Sequence, residues 1–406
     1  MSFCYTLRRL GLYLISFTFA GYKKLGVKMV SESVIVINGQ EFSFSPGETI
    51  LQVAQRNGFD IPTLCYLKGA SPTGACRICL VEVEGAQNLV ASCATPAAPG
   101  MVVRTETPRV INSRRTNLEV LLASGQHNCL VQDLSMDSWT DFQLKSMTAK
   151  EHEDLCPAYG ECRLQDLAVR YQVKTNHFTP AEVSYPIENV NPFIVRDFSR
   201  CILCGRCVQA CNEIQVNNAI RFDHKGSQSK IVTEGDHPLK DSICVFCGEC
   251  VRVCPVGALI PTEDLLSEHS FNETKKIRTT CSYCGVGCQL YLHVRENKVV
   301  KVTGVEDVGP NFGSLCVKGR FGYDFIHDPG RLKTPLIKED GKFREASWDE
   351  ALNLVAERLT RIKKESGPDA IMVLSSARVT NEENYLAQKF TRVVIGTNNI
   401  DHCARL

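Results

Sequence analysis

Alternating apolar and polar residues after position 33 predict a small α+β unit. The segment SVIVINGQEFSFSPGETILQVAQRNG fits a strand, a turn at Asn38-Gly39, a second strand and a helix over 49–57. Asn-Gly between two alternating segments is a strong hairpin signal, because both residues accept a positive φ. A further strand, CLVEVEG, and a helix over 108–124 complete the predicted unit.

The chain after Arg320 has the pattern of an α/β domain. A capping box at 347–350 precedes an amphipathic helix that extends to about Lys363. The segment AIMVLSS predicts a buried strand, and residues 380–383 cap the next helix. We therefore expect the beginning of an α/β domain over 333–406.

Composition indicates several globular domains. Of the 406 residues, 44% are hydrophobic and 22% are charged, which excludes a disordered or collagen-like chain. The 46 Lys and Arg residues nearly balance the 45 Asp and Glu residues, and a formal net charge of +1 disfavours binding to nucleic acid or to an anionic membrane.

The first 30 residues precede the regular pattern. Arg8-Arg9 and the apolar run over 10–20 imitate a signal peptide, but no small-residue cleavage site follows them, and the run is too short for a membrane span. We interpret residues 1–30 as a non-structural extension and expect a cytoplasmic protein without a stable membrane span. Export is the alternative.

The unusual feature of the chain is its 21 cysteines. They occur in tight runs that disulfide geometry cannot easily pair, whereas thiolates two or three residues apart can converge from one loop on one inorganic centre. This usage fits a reducing cytoplasm. A zinc-stabilised interaction module remains an alternative to a redox protein.

An internal repeat carries the most specific of these signals. CILCGRCVQAC at 201–211 recurs as CVFCGECVRVC at 244–254, and C-x2-C-x2-C-x3-C is the run of bacterial ferredoxins, whose fourth cysteine ligates the other cluster. The sequence therefore predicts two [4Fe–4S] clusters, one on Cys201, Cys204, Cys207 and Cys254, the other on Cys244, Cys247, Cys250 and Cys211. Pro255 follows the second run as expected, whereas Asn212 replaces proline in the first.

Two further sets of ligands precede this repeat. Cys65, Cys76, Cys79 and Cys93 suggest a [2Fe–2S] centre and resemble the version with a long first gap in the large subunit of respiratory complex I and in iron hydrogenases. Candidates for a [4Fe–4S] cluster follow at His127, Cys129, Cys156 and Cys162. They resemble the His-plus-three-Cys module of the same families, with a 26-residue insertion after Cys129.

The last set resembles the cluster-bearing first domain of the molybdopterin oxidoreductases. Its cysteines are Cys281, Cys284, Cys288 and Cys316, and the segment CVKGR carries the resemblance. That resemblance implies a [4Fe–4S] cluster and a role for Lys318 in electron transfer between the cluster and the pterin. A surface lysine without such a role is the alternative.

The order of these modules over 33–406 resembles the catalytic subunit of cytoplasmic, NAD-linked formate dehydrogenases. The resemblance implies a multidomain α+β protein: a β-grasp [2Fe–2S] ferredoxin, a His-plus-three-Cys module, a bacterial-type 2[4Fe–4S] ferredoxin and the start of a molybdopterin oxidoreductase α/β domain. The expected segments are 1–30 for the extension, then 31–108, 109–185, 186–265, 275–332 and 333–406.

The resemblance also implies a function. The chain would pass electrons from formate, oxidised at a molybdenum or tungsten bis(molybdopterin guanine dinucleotide), through one [2Fe–2S] and four [4Fe–4S] clusters to a separate NAD-reducing flavin subunit. No Gly-rich dinucleotide motif appears in this chain. An electron-relay subunit of a complex I-like or hydrogenase assembly is the alternative.

The last residues suggest one further hypothesis. The segment DHCARL resembles the one that, in formate dehydrogenases, precedes the cysteine or selenocysteine ligand of the metal. We therefore expect a selenocysteine at position 407, with an ordinary truncation as the alternative.

Overall fold

A computed structural model of the chain describes residues 33–125, 127, 158, 161–173, 178, 185–262 and 274–403. The predictions for residues 1–30, Cys129, Cys156 and position 407 lie outside the described residues.

The first domain is a mixed five-stranded sheet with one helix. The strands follow the order β2-β1-β5-β3-β4. Their bounds are β1 (Val34–Ile37), β2 (Gln40–Ser43), β3 (Leu80–Val83), β4 (Val90–Ala91) and β5 (Val102–Arg104). Helix α1 (Ile50–Arg56) begins with a capping box between Thr49 and Gln52, and its residues 50, 51, 53 and 54 are buried. The predicted hairpin and helix are therefore confirmed.

Helix α2 (Pro108–Ala123) leads out of this sheet and is held by a buried arginine. Arg114 is fully buried and donates hydrogen bonds to the carbonyl oxygens of Ile78 at 3.1 Å and Leu80 at 2.9 Å. Its Nη1 also contacts Glu106 at 2.6 Å. Helix α3 (Arg163–Arg170) packs against α2, so the two helices extend the core of the first domain toward the next one.

The next domain contains both copies of the cysteine repeat. Strands β6 (Ile194–Arg196) and β9 (Leu259–Pro261) pair antiparallel and enclose the two runs in sequence. Its other elements are helix α4 (Arg206–Gln209), strand β7 (Arg221–Asp223), strand β8 (Lys230–Val232) and helix α5 (Glu249–Val253). Each helix begins within one of the runs, so the two copies of the repeat have similar local folds.

A three-stranded antiparallel sheet follows after residue 274. Its strands are β10 (Lys275–Thr280), β11 (Gln289–Arg295) and β12 (Lys298–Gly304). Helix α6 (Val317–Phe321) packs against β12. The fourth cysteine set thus lies at one end of the sheet, since two of its cysteines precede β11 closely and the last begins α6.

The last described region is open on one side. It comprises β13 (Leu336–Glu339), β14 (Lys342–Glu345), α7 (Trp348–Ser366), β15 (Val373–Ser375), α8 (Asn381–Lys389) and β16 (Ile400–His402). The predicted helix caps at Ser347 and Thr380 are confirmed. Strands β15 and β16 pair in parallel.

One expectation for this region is wrong. The segment AIMVLSS forms a strand, but Leu374 is 76% exposed. Ser375 faces helix α8 through a hydrogen bond with Asn384, and Leu374 lies on the opposite face, which no described element covers. Helix α7 also buries none of its apolar residues against the described part of the chain. None of the described helices is long and apolar enough to span a bilayer.

Candidate metal centres

The first four cysteines converge on one buried position. Cys65, Cys76, Cys79 and Cys93 are each at most 8% exposed. Hydrogen bonds from the thiols of Cys76 and Cys93 lower the pKa of Cys65 far below its usual range. A hydrogen bond from Cys93 likewise lowers the pKa of Cys79 to about 7, against the effect of burial. Hydrogen bonds therefore connect the four thiols in the order Cys76, Cys65, Cys93, Cys79.

The contacts suit a binuclear cluster. Cys65 contacts Cys76, and Cys79 contacts Cys93, so the four thiols include two close pairs. A [2Fe–2S] cluster takes four cysteines. Gly74 lies in the loop that carries Cys76 and has a φ of +61°, which a residue with a side chain rarely adopts.

The two ferredoxin-type runs exchange their fourth cysteines. Burial raises the pKa of Cys201 to about 11 and that of Cys204 to about 12, with a smaller contribution from the charge of Cys254 to each. The pKa of Cys207 is raised chiefly by burial and then by the charges of Cys204, Cys201 and Cys254. Cys254 therefore lies beside the first run, although it belongs to the second.

The second run shows the reciprocal arrangement. Burial raises the pKa of Cys244 to about 11, with smaller contributions from Cys247 and Cys211. Burial also raises the pKa of Cys250, with contributions from the same neighbours. Cys211, the fourth cysteine of the first run, is therefore placed with the second set.

The backbone supports both sets in the same way. The amide of Leu203 donates to the Sγ of Cys201 at 3.4 Å, and the amide of Phe246 donates to the Sγ of Cys244 at 3.4 Å. Leu203 and Phe246 both have a positive φ, which turns these amides toward the sulfur atoms. Hydrogen bonds to the sulfurs are among the features that set the reduction potential of a bound cluster.

The first run departs from the ferredoxin pattern at Asn212, and the backbone conformation there accounts for the departure. Cys211 and Asn212 lie in a π-helical turn, Ala210–Ile214, whereas Cys254 ends helix α5 directly before Pro255. A proline at 212 would remove a backbone N–H within this helical segment. The amide of Ala219 donates to the Sγ of Cys211 at 3.3 Å, so the wide turn still aims this sulfur inward.

Between the two runs lies a cavity of about 30 Å³. Its wall includes Cys201, Cys204, Cys207, Cys250 and Cys254, together with apolar side chains. None of the described cysteines forms a disulfide. Among the described residues, no three His, Cys, Asp or Glu side chains could share one metal ion. That finding does not conflict with a cubane, whose four cysteines bind four different irons.

Only part of the His-plus-three-Cys set is described. Burial lowers the pKa of His127 to about 4, so the imidazole is neutral, as a metal ligand must be. Its Nε2 is buried without a hydrogen-bond partner. Cys162 is buried, and its Sγ lies 3.6 Å from the carbonyl oxygen of Pro255. The structure therefore places both residues beside the ferredoxin-type domain.

The last cysteine set surrounds the start of α6. Burial raises the pKa of Cys281 and of Cys288, and the charges of Cys284 and Cys316 contribute to both. The amide of Cys281 donates to the carbonyl oxygen of Cys288 at 2.8 Å, and Cys316 is the N-cap of α6. These contacts bring all four cysteines together.

Lys318 lies on the exposed side of this set. Gly319, next to it, is so close to the site that a Cβ there would lie 3.7 Å from the Sγ of Cys281. Asn381 at the start of α8 donates to the carbonyl oxygen of Gly285 at 2.6 Å. The loop that carries the cysteines is thereby tied to the α/β region.

The sequence analysis did not identify three arginines near the cysteine sets, of which Arg196 and Arg320 are buried and Arg206 is half-buried. The charge of Arg206 interacts with Cys204 and Cys65, that of Arg196 with Cys244, and that of Arg320 with Cys247. Arg206 could have been found because it lies inside the first run, but the other two have no motif that indicates their position.

Four family models match the chain. Residues 32–108 match the 2Fe-2S iron-sulfur cluster binding domain, and residues 200–258 match the 4Fe-4S dicluster domain. Residues 274–328 match the molybdopterin oxidoreductase Fe4S4 domain, and residues 331–406 match molybdopterin oxidoreductase. The predicted α+β fold class, with these domains in this order, is confirmed.

The relatives are longer than this chain. A provisionally named oxidoreductase of Bacillus subtilis is 30% identical over 414 residues, covering 93% of this chain and 40% of that protein. A provisionally named formate dehydrogenase of Staphylococcus aureus is also 30% identical over 414 residues, covering 93% of this chain and 39% of that protein. The chain thus spans about two fifths of these relatives.

One solved structure is also similar. A chain in the crystal structure of an NAD⁺-reducing [NiFe]-hydrogenase in the H₂-reduced state is 30% identical, with a TM-score of 0.48. The match covers 60% of this chain and 91% of that chain.

Proposed function

We propose that this chain, whose residues 274–328 and 331–406 match molybdopterin oxidoreductase models, is the iron–sulfur electron-transfer part of a formate dehydrogenase catalytic subunit. One observation carries the proposal: the fold gathers the cysteines into successive sets, the last of which adjoins the molybdopterin oxidoreductase region. Formate is the proposed substrate because a relative at 30% identity is provisionally named a formate dehydrogenase.

The proposed cofactors are one [2Fe–2S] cluster and four [4Fe–4S] clusters. The first is held by Cys65, Cys76, Cys79 and Cys93, and the second by His127, Cys129, Cys156 and Cys162. The ferredoxin-type pair uses the two exchanged sets described above, and the last cluster uses Cys281, Cys284, Cys288 and Cys316. The full-length protein would bind molybdenum or tungsten in a bis(molybdopterin guanine dinucleotide).

When bound, the clusters carry single electrons. The chain's own residues would limit the access of water to them, since Cys316 is the only exposed cysteine among the described proposed ligands and the others are buried or half-buried. Backbone amides such as those of Leu203 and Phe246 point at thiol sulfurs, where they stabilise added negative charge. The protein thus fixes the position and the potential of each centre.

Lys318 is the proposed link between the last cluster and the pterin. It is exposed in α6, two residues after Cys316, and its positive charge favours the transfer of an electron past it. The hydrogen bond from Asn381 to Gly285 holds the cluster loop against the region that matches molybdopterin oxidoreductase.

The proposed partner is a separate flavin- and NAD-binding subunit in the cytoplasm. These 406 residues contain no Gly-rich dinucleotide motif, which favours an NAD-binding site on a separate subunit. The choice between NAD, NADP and ferredoxin as the final acceptor belongs to that partner.

Metal analysis of the native full-length protein, purified without oxygen, tests the proposal. We expect about 18 iron atoms per chain, the sum of one [2Fe–2S] and four [4Fe–4S] clusters, together with molybdenum or tungsten. Iron without either metal would contradict a formate dehydrogenase and leave an electron-relay subunit. Zinc without iron would contradict both.

A further inference from the structure

Arg196 is a buried arginine that is only partly paired. It is 3% exposed, at the end of β6. The backbones of Arg196 and Glu188 exchange two hydrogen bonds of 3.0 and 2.9 Å, which fix the position of the side chain's base. The Nη2 group pairs with the Glu188 carboxylate and lies 3.4 Å from the carbonyl oxygen of His237.

The other side of the guanidinium has no partner. Nε and Nη1 are buried, and neither has a hydrogen-bond acceptor in the described part of the chain. The guanidinium lies 5.0 Å from the ring centre of Phe198, which helps to hold its plane. A buried N–H group without an acceptor destabilises the fold, and more so when the group is charged, so a folded protein rarely keeps one without a reason.

The place of this side chain indicates the reason. Arg196 lines the same cavity as Cys201, Cys204, Cys207 and Cys254, which is the complete first set, whereas the second set contributes only Cys250 to the wall. Its charge also acts on Cys244 of the second set. The first set is therefore the one that the cavity assigns to the unpaired edge of the guanidinium. The other side chains in the wall, such as those of Phe198 and Ile220, are apolar and cannot accept a hydrogen bond. Among the side chains that line this cavity, the cysteine sulfur atoms are the acceptors available to Nε and Nη1.

We propose that Arg196 donates Nε–H and Nη1–H to sulfur atoms of the cluster held by Cys201, Cys204, Cys207 and Cys254, and thereby raises its reduction potential. Hydrogen bonds to sulfur stabilise the reduced cluster, which carries the additional negative charge. The ion pair with Glu188 balances the charge of the arginine and aims its unpaired edge at the cavity. Arg196 is thus a positioning and tuning residue, in addition to the cysteine ligands.

This inference rests on the proposed clusters but not on formate. Its test is a redox titration of the full-length holoenzyme with dithionite and mediators, followed by EPR. The relevant signal is the one that Cys254→Ser removes. We expect R196Q to retain its iron and to shift the midpoint potential of this signal to a more negative value. An iron-replete R196Q protein with an unchanged midpoint would overturn the proposal.

Two further variants distinguish the effect of the hydrogen bonds on the midpoint potential from a general effect of charge. The double variant R196Q/E188Q keeps the net charge of the native pair, and we expect the negative shift to persist. R221Q removes an exposed arginine from strand β7 of the same domain, and we expect no shift. A shift of equal size in R221Q would show a general effect of charge and contradict a specific role for Arg196.

If a variant does not assemble the cluster, a second measurement on the native protein still tests the proposal. Pulsed EPR on the reduced native protein, labelled with arginine that carries ¹⁵N only in its guanidino group, should show a ¹⁵N coupling at this cluster that R196K loses and R206K keeps. A native protein without the coupling, or R196K with it unchanged, overturns the proposal. Formate plays no part in either readout, so failure to oxidise formate would refute the proposed function alone. An iron-free protein would refute both.

Discussion

At the scale of single residues, the fourth cysteine of each ferredoxin-type run lies beside the first three cysteines of the other run. Spacing within each run brings three thiols together on one loop and short helix, but the next cysteine lies at the far end of that helix. Cys254 therefore approaches Cys201 and Cys204, and Cys211 approaches Cys244. The exchanged arrangement brings the two cysteine sets close together, as rapid electron transfer between two bound clusters would require.

This exchange predicts which signal each cysteine variant removes. We expect Cys254→Ser to abolish the EPR signal of the cluster at Cys201, and Cys211→Ser to abolish that of the cluster at Cys244, each with a loss of about four irons. Cys403→Ser serves as the control, because this exposed cysteine lies outside the five proposed ligand sets. Loss of the same signal in both variants would contradict the exchange.

Lys318 carries a second prediction at this scale. We expect Lys318→Met in the full-length enzyme to keep its iron and to slow the reduction of the clusters by formate by roughly tenfold, which corresponds to a barrier higher by about 1.4 kcal/mol. Stopped-flow absorbance of the clusters measures the rate. The control is Lys364→Met, an exposed lysine in α7. Equal rates in the native protein and Lys318→Met would refute a role for Lys318.

At the scale of elements, α5 and α6 are joined by a buried ion pair. Arg320 in α6 is 6% exposed, contacts the Glu249 carboxylate at 3.2 Å and donates to the carbonyl oxygen of Cys247 at 2.9 Å. Glu249 is fully buried and also accepts from Ser314 at 3.0 Å. These contacts connect the second ferredoxin-type cysteine set with the set at Cys281.

Replacement of Arg320 should weaken the contact between α5 and α6. We expect R320Q to lower the free energy of unfolding by about 1–3 kcal/mol, because it removes one of the two arginines that contact the buried Glu249 carboxylate, while Arg252 stays paired with it at 2.5 Å. Thermal unfolding under anaerobic conditions measures the loss as a lower midpoint. The double variant R320M/E249M should recover part of it. R344Q, which removes an exposed arginine that also contacts two glutamates, should leave the midpoint unchanged.

The elements also show what the sequence could and could not predict. The hairpin at Asn38-Gly39 and the caps at Thr49 and Thr380 are local features, so their residues alone identified them. The exposure of Leu374 depends on which elements cover the strand, and no local pattern contains that information. The same holds for Arg196, whose role depends on a cavity formed by residues far apart in the sequence.

At the scale of the whole molecule, the cysteine sets lie within shared cores. One hydrophobic cluster contains Cys65 and Cys76 of the first set, Cys162, and Cys204 of the ferredoxin-type repeat. A second contains cysteines of both ferredoxin-type sets together with Phe321 of α6. The domains are therefore packed on each other at the candidate metal sites, which favours an uninterrupted route for electrons along the chain.

Reduction of the native full-length enzyme by formate tests this route most directly. We would add formate without any other reductant to the oxidised protein under anaerobic conditions and record EPR spectra at several temperatures. We expect signals of reduced [4Fe–4S] clusters and, in addition, the signal of the [2Fe–2S] cluster at Cys65, which lies at the opposite end of the chain from the molybdopterin region. Spectra that stay silent with formate, while dithionite produces the cluster signals, would contradict the proposed formate dehydrogenase.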